Sequence, residues 1–212
     1  MSKKLLPLTL VCLALSACST LSSPFSSGAA PSANAVAPYR EQVELTGRLN
    51  VVYQKDDKPE SATVNFNWQQ TAQRTDVTLY TPVGSTLATI AVTPREAVLT
   101  QSGKAPRSAP DVDTRSAQLL GWSLPVSGLR DWLQGYAVGA DGKRFVASPA
   151  NDSVTTKDGW RLRYVSWQDA SETTPGALPQ PRRIDAERNA SAQADAVSLR
   201  IVLDPAPSAP AP

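Results

Sequence analysis

The chain between residues 39 and 204 is dominated by a two-residue alternation of apolar and polar side chains. This period is typical of β-strands with one buried face, because successive side chains of a strand point to opposite sides. The pattern predicts an antiparallel sheet with one apolar face, in which residues 182–187 pair with the last strand. Turns are predicted at Asp57, Gly103 and Asp158-Gly159. The alternating segments are 43–53, 62–69, 77–79, 88–92, 97–100, 144–147, 160–164, 182–187 and 197–203.

Two short segments in the middle of the chain are predicted to be helical. Asp113–Leu120 begins with an acidic residue, Ser127–Gln134 follows a proline, and both are followed by glycine. These are common boundary signals of helices. Leu129, Trp132 and Leu133 share one face of the second helix. We expect this insertion to cover the concave face of a curved sheet and to enclose a lipid-sized pocket, although an ordinary core-facing helix would show the same pattern.

The start of the chain has the organisation of a secretory signal peptide. Two lysines supply positive charge, residues 5–14 are apolar, and Leu-Ser-Ala precedes Cys18. The apolar run is shorter than the roughly 20 residues that cross a bilayer. A cysteine in this context resembles the lipobox of bacterial lipoproteins, which implies an acylated Cys18. Ser19 favours the outer membrane, because Asp at that position is associated with inner-membrane retention. The alternative is an ordinary signal peptide with an incidental cysteine.

Composition divides the chain into four parts. Residues 1–17 form the signal peptide, and residues 18–38 combine the lipidated cysteine with a tether rich in Ser, Ala and Pro. Residues 39–204 form one domain of sufficient length for its own core. Residues 205–212 alternate Pro with Ala and Ser and are predicted to be a disordered tail.

Charge and residue content exclude several functional classes. Loss of Lys3 and Lys4 with the signal peptide leaves 19 basic residues against 19 acidic ones, so we expect no nucleic-acid partner. The chain has no histidine, which excludes Ser-His-Asp and Cys-His catalysis and histidine-ligated metals. Phosphate-binding glycine motifs are absent as well. We therefore expect no catalytic residue, no metal and no cofactor, and a hydrolase using Asp, Glu, Lys or Tyr is the least favoured alternative.

Four segments occur in order behind the lipobox: LTGRL (45–49), FNWQQ (66–70), LYTPVGST (79–86) and LPVSGLRDWLQG (124–135). Together they resemble the LolB family of outer-membrane lipoprotein receptors. The resemblance covers roughly residues 45–203. It implies a mainly β (α+β) fold: an incomplete, curved antiparallel β-barrel of about 10–11 strands with a short helical lid, as in LolA and LolB.

The resemblance also implies a function and its partners. The protein would accept acylated lipoproteins from a LolA-like periplasmic carrier and insert them into the outer membrane, as a monomer and without nucleotide hydrolysis. The alternative is a non-enzymatic scaffold lipoprotein for envelope assembly, which would have a packed core in place of an open apolar pocket.

Two groups of site residues follow from the family. Pro82, Val83 and Gly84 match a protruding loop that acts in membrane insertion, where the family usually has Leu at the tip. The alternative is a turn with Val83 packed back onto the sheet. Alternation places the candidate aromatic residues on the inner face without distinguishing a cavity wall from a solid core. The candidate cavity and lid residues are Phe66, Trp68, Leu129, Trp132, Leu133, Trp160 and Tyr164.

Overall fold

The computed structural model describes residues 36–56, 58–109, 113, 120–168, 178–190 and 196–205. Within these residues the chain forms twelve β-strands and one short helix that is described in full; Asp113 and Leu120 are helical as well. The bounds are β1 Val43–Lys55, β2 Lys58–Gln70, β3 Thr75–Tyr80, β4 Thr86–Val92, β5 Ala97–Gln101, β6 Arg107–Ala109, α1 Val126–Trp132, β7 Tyr136–Val138, β8 Arg144–Val146, β9 Ser153–Thr155, β10 Arg161–Gln168, β11 Gln180–Arg188 and β12 Val197–Leu203.

Ten of these strands form one antiparallel sheet in the order β6-β5-β4-β3-β2-β1-β12-β11-β10-β9. The predicted pairing of residues 182–187 with the last strand is confirmed, since Ile184 of β11 lies opposite Ile201 of β12. Among the described strands, the two edges β6 and β9 are not paired with each other, so the curved sheet is open. This confirms the mainly β, incomplete-barrel fold.

The sequence pattern identified the long strands and missed three short ones. β6, β7 and β9 each have three residues, a length at which alternation does not identify strands consistently. β8 is equally short and is predicted as the segment 144–147, but it pairs with β7 in a separate two-stranded ribbon. The predicted turns at Gly103 and Gly159 are confirmed, and both glycines have positive φ angles. Asp57 lies outside the described residues.

One face of the large sheet carries the core. Alternate residues of β1, β2, β3 and β12 are buried, as the pattern predicts. Gly47 marks the closest approach within this layer, because a Cβ atom there would lie 2.3 Å from the Val202 carbonyl oxygen and 3.0 Å from the Phe66 ring. Glycine at this position lets the Phe66 side chain lie directly across β1.

Several predicted features fall on residues that the structure does not describe. These are the signal peptide, Cys18, the tether through residue 35, residues 206–212, and the first predicted helix except Asp113 and Leu120, which are both helical. Val36 and Ala37, which composition assigns to the tether, pack against the domain: Val36 is buried, and the Ala37 N–H donates to the Pro179 carbonyl oxygen at 3.1 Å. Within the described ranges, no helix combines the length and apolar character needed to cross a membrane.

Candidate functional site

Helix α1 lies over the apolar face of the sheet. The second predicted helix is confirmed, with observed bounds Val126–Trp132 in place of 127–134. Leu129, Trp132 and Leu133, the residues of its predicted apolar face, are all buried. Gly135 ends this region with a φ angle of 87°, a backbone conformation that favours glycine. The helix is therefore positioned as a cover over the sheet.

Contacts with the rest of the domain hold α1 in place. An isolated helix of seven residues is unstable in water, so its stability must come from packing and hydrogen bonds. At its start, the Asp113 carboxylate accepts hydrogen bonds from the Ser127 N–H, at 3.2 Å, and from the Ser127 hydroxyl. In its middle, the Arg130 guanidinium donates to the Thr75 hydroxyl at 2.9 Å and to the Thr71 carbonyl oxygen. Both contacts depend on residues outside the helix, Asp113 at its start and Thr71 and Thr75 in its middle.

A small cavity of about 20 Å³ separates α1 from the sheet. Four of the candidate residues, Phe66, Trp68, Leu129 and Leu133, line it. A space of this size holds about one water molecule and is far too small for an acyl chain, so the lipid-sized pocket expected from the sequence is not open in this structure. Acyl binding at this place would therefore require α1 to move away from the sheet. The complete lining is apolar or aromatic: Leu49, Phe66, Trp68, Val77, Leu79, Leu124, Leu129, Leu133 and Ile201.

The other three predicted cavity residues form an aromatic cluster beside this space. The Trp132 ring meets the Trp160 ring edge-on, with centroids 5.7 Å apart. The Tyr164 ring stacks on Phe145 and Trp167, with centroid distances of 6.3 and 5.9 Å. Trp132, Trp160 and Tyr164 are buried but do not line the cavity. Trp160 and Tyr164 thus contact the Trp132 end of α1 from one side, which the alternation of single strands could not show.

Tyr164 links this cluster to the end of α1. Its hydroxyl donates to the Trp132 carbonyl oxygen at 3.3 Å. Burial raises the pKa of Tyr164 far above its ordinary value, and the negative charge of Asp131 raises this pKa further. The phenol therefore stays protonated and remains a hydrogen-bond donor at physiological pH.

The β3–β4 hairpin projects Val83 into solvent. The Gly84 N–H donates to the Thr81 carbonyl oxygen at 2.9 Å, and the Thr81 N–H donates to the Ser85 carbonyl oxygen at 2.8 Å. Gly84 has a φ angle of 89°, as expected for the last residue of a three-residue hairpin loop. Val83 is 89% exposed, so the alternative of a valine packed back onto the sheet is wrong.

Comparisons with known proteins agree with the resemblance. The sequence profile of the LolB family, described as "Outer membrane lipoprotein LolB", matches residues 41–205. The outer-membrane lipoprotein LolB of Cupriavidus metallidurans is 39% identical over 162 residues, covering 76% of this chain and 78% of the relative. The protein of the same name from Alkalilimnicola ehrlichii is 30% identical over 202 residues, covering 94% of each chain.

Among solved structures, a LolA superfamily protein from Nitrosomonas europaea is similar with a TM-score of 0.45 and 8% identity. That similarity covers 85% of this chain and 91% of the other. The family match and the two relatives each extend over most of the domain described above. The chain therefore belongs to the LolB family of outer-membrane lipoprotein receptors.

Proposed function

We propose that this receptor binds the acyl chains of client lipoproteins between α1 and the concave face of its sheet. It would receive them from a LolA-like periplasmic carrier and release them into the outer membrane beside the Val83 hairpin tip. Cys18 would hold it at that membrane through its own acyl groups, and the protein would act as a monomer. The observation that carries the proposal is the wholly apolar or aromatic lining beneath a short helix held by tertiary contacts.

The energetics of acyl binding are favourable for such an arrangement. Lifting α1 exposes leucine side chains, and each exposed leucine costs roughly 1.5–3 kcal/mol. Each acyl methylene that enters the space regains about 0.8 kcal/mol, so a few methylenes offset the loss of one leucine contact. Leu129 and Leu133 belong to both the closed packing and the proposed acyl surface. The cost of separating α1 from the sheet would then offset part of the binding free energy of the acyl chain, which suits a protein that must both bind and release.

The direction of transfer would follow from relative affinities. The sequence has no phosphate-binding motif, so no nucleotide is expected to drive the step. The receptor must then hold acyl chains more tightly than the carrier, and the membrane must hold them more tightly than the receptor. An acyl chain can open the cavity only to the extent that it binds the open state of the receptor more tightly than the closed state.

The test is transfer of an acylated lipoprotein from purified carrier to the receptor and then to liposomes, with each step scored separately. We expect Leu129→Asp to block the first step, because a carboxylate in the apolar space would oppose acyl entry. Ser127→Ala, on the exposed side of the same helix, is the control for general weakening of α1. A wild-type receptor that accepts no acylated protein, and whose core does not open with added fatty acid, would support the scaffold alternative.

A further inference from the structure

The segment Val36–Arg40, here called the strap, connects the N-terminal tether to β1 and is fixed against the domain. Val36 is buried. The Ala37 N–H donates to the Pro179 carbonyl oxygen at 3.1 Å, and the Ala37 carbonyl oxygen accepts from the Tyr136 hydroxyl at 3.0 Å. Tyr136 begins the strand that follows α1, so the strap contacts the chain where it leaves the helix.

Gln134 binds the strap at this exit. Its side-chain oxygen accepts from the Arg40 N–H at 2.9 Å, and its side-chain nitrogen donates to the Arg40 carbonyl oxygen at 3.0 Å. The amide thus satisfies both backbone groups of Arg40, as a neighbouring strand would. Gly135 packs beside it, and a Cβ there would lie 3.1 Å from the Val36 side chain. The exit from α1 and the strap therefore form one packed unit.

Tyr39 connects the strap to the cavity wall. The Gln70 side-chain nitrogen donates to the Tyr39 hydroxyl at 2.9 Å, and the Gln70 side-chain oxygen accepts from the Trp68 indole N–H at 3.1 Å. Gln70 and Trp68 are almost completely buried, and Trp68 lines the cavity under α1. The Tyr39 ring also meets the Tyr136 ring edge-on at 5.5 Å. One strap residue thus contacts both the exit of α1 and the support of a cavity-lining side chain.

We propose that the strap is a latch for α1, with Tyr39 and Gln134 as the positioning residues, so that release of the strap favours opening of the cavity. This inference rests on the proposed acyl-binding function. Because binding free energies are reciprocal, a strap that stabilises the closed state must itself be loosened when an acyl chain occupies the cavity. The tether that leads to the membrane anchor would then be coupled to the acyl site.

The experiment is hydrogen–deuterium exchange of the full-length protein in liposomes, without added lipoprotein. Tyr39→Phe keeps the ring and removes the hydroxyl that Gln70 binds. One lost hydrogen bond of ordinary strength should accelerate exchange in residues 126–134 by about five- to tenfold. Gln134→Ala should act in the same direction. Tyr53→Phe is the matched control, because its hydroxyl bonds Glu60 at 3.0 Å, away from the strap and α1, and it should leave this exchange unchanged.

Exchange in β12 provides the internal reference for each variant. Faster exchange in 126–134 relative to β12 supports the latch. Unchanged exchange in residues 126–134 would overturn the latch, because the strap would then not hold α1. Equal acceleration in β12 would also overturn it, because the strap would then contribute only to general stability. In the wild type, palmitic acid should accelerate exchange in residues 36–40. A wild type that binds no palmitic acid would overturn the acyl site, whereas normal binding with unchanged exchange in the variants would overturn the latch alone.

Discussion

At the scale of single residues, Val83 is the side chain whose exposure is least expected from its chemistry. It is 89% exposed, and backbone hydrogen bonds across the hairpin keep the loop from folding back. An apolar side chain at a projecting tip can enter a bilayer, where its burial is favourable. Because its side chain is so exposed, Val83 contributes little to the free energy of folding. Substitutions at Val83 therefore test membrane delivery with little effect on stability.

We predict that Val83→Glu leaves folding and receipt from the carrier intact and impairs release into liposomes. A carboxylate resists transfer into the apolar layer, whereas Val83→Leu adds one methylene, worth about 0.8 kcal/mol, and should equal or exceed the wild type. The measurement is the two-step transfer assay. Val52→Glu, at an exposed valine of β1, is the control for a new surface charge. Loss of the first step with an intact second step would show that this loop does not act in release.

Cys18 is the residue on which membrane attachment depends in our proposal. We predict that Cys18→Ala yields a protein without acyl groups that is either soluble or not processed. Cys12, the other cysteine of the sequence, lies in the predicted signal peptide, so no other thiol is expected to carry the acyl chains in its place. Membrane fractionation and mass spectrometry provide the measurement. An unmodified Cys18 in the mature wild-type protein would contradict the lipoprotein assignment of this residue.

Single-residue features differ in how far sequence could predict them. The inward positions of Phe66 and Trp68 follow from alternation, and the exposed tip follows from Pro82 and Gly84 flanking Val83. The bond from Gln70 to Tyr39 joins residues 31 positions apart, and no local pattern signals it. From the sequence, Gln70 is simply a polar residue at the end of a strand, where an exposed side chain is the ordinary expectation. Its burial is explained only by partners that the fold brings together.

At the scale of elements, α1 contains a glycine that its own packing requires. A Cβ at Gly128 would lie 2.4 Å from the Trp132 ring, which folds back over the preceding turn. Glycine disfavours a helix by about 1 kcal/mol relative to alanine. The helix therefore sacrifices intrinsic stability so that Trp132 can pack against Trp160. The closed position of α1 over the sheet thus depends on contacts such as that between Trp132 and Trp160.

We predict that Gly128→Ala destabilises the protein despite alanine's higher helix propensity. Displacing Trp132 from a packed site typically costs about 1–3 kcal/mol, which exceeds the propensity gain. Urea denaturation gives the free energy of unfolding, and tryptophan emission reports the displaced ring. In a Trp132→Leu background the penalty should disappear, because the clashing ring is absent. An equal penalty in both backgrounds would contradict this explanation.

The elements themselves were predictable where they are long. Strands such as β1 and β2 show many alternating positions, and proline and glycine bracket α1. The three-residue strands form only because neighbouring chain segments supply their hydrogen-bond partners. The position of α1 over the sheet was an expectation from the family and from its apolar face. Its closeness to the sheet, with only a small cavity remaining, is set by packing between distant elements.

At the scale of the whole molecule, the absence of histidine gives a simple pH dependence. No side chain with an ordinary pKa titrates between about pH 5 and 8 in such a chain. Burial raises the pKa of both Tyr39 and Tyr164, and Asp131 raises each further. A folded-state pKa above the unfolded value means that the native state holds its proton more tightly. The resulting stability is fully present below about pH 10 and is lost as the pH rises beyond it.

We therefore predict a constant free energy of unfolding between about pH 5.5 and 8, and a decline above about pH 10. Urea denaturation over this range is the measurement. In Tyr164→Phe the free energy of unfolding should fall less steeply above about pH 10 than in the wild type, because Phe has no proton to lose. A stability transition near pH 6.5 would contradict the prediction, since the chain has no histidine to produce it.

The sheet order also determines when this protein can fold. β1 and β12, the described strands most distant in sequence, are neighbours near the middle of the ten-stranded sheet, where Leu49 lies opposite Ile201. Contacts between such distant segments slow folding, because the intervening chain must first be brought together. The two halves of the sheet cannot join until β12 has been synthesised. A chain of this design therefore completes its ten-stranded sheet only after β12 has been made, whatever part of β1–β6 pairs earlier.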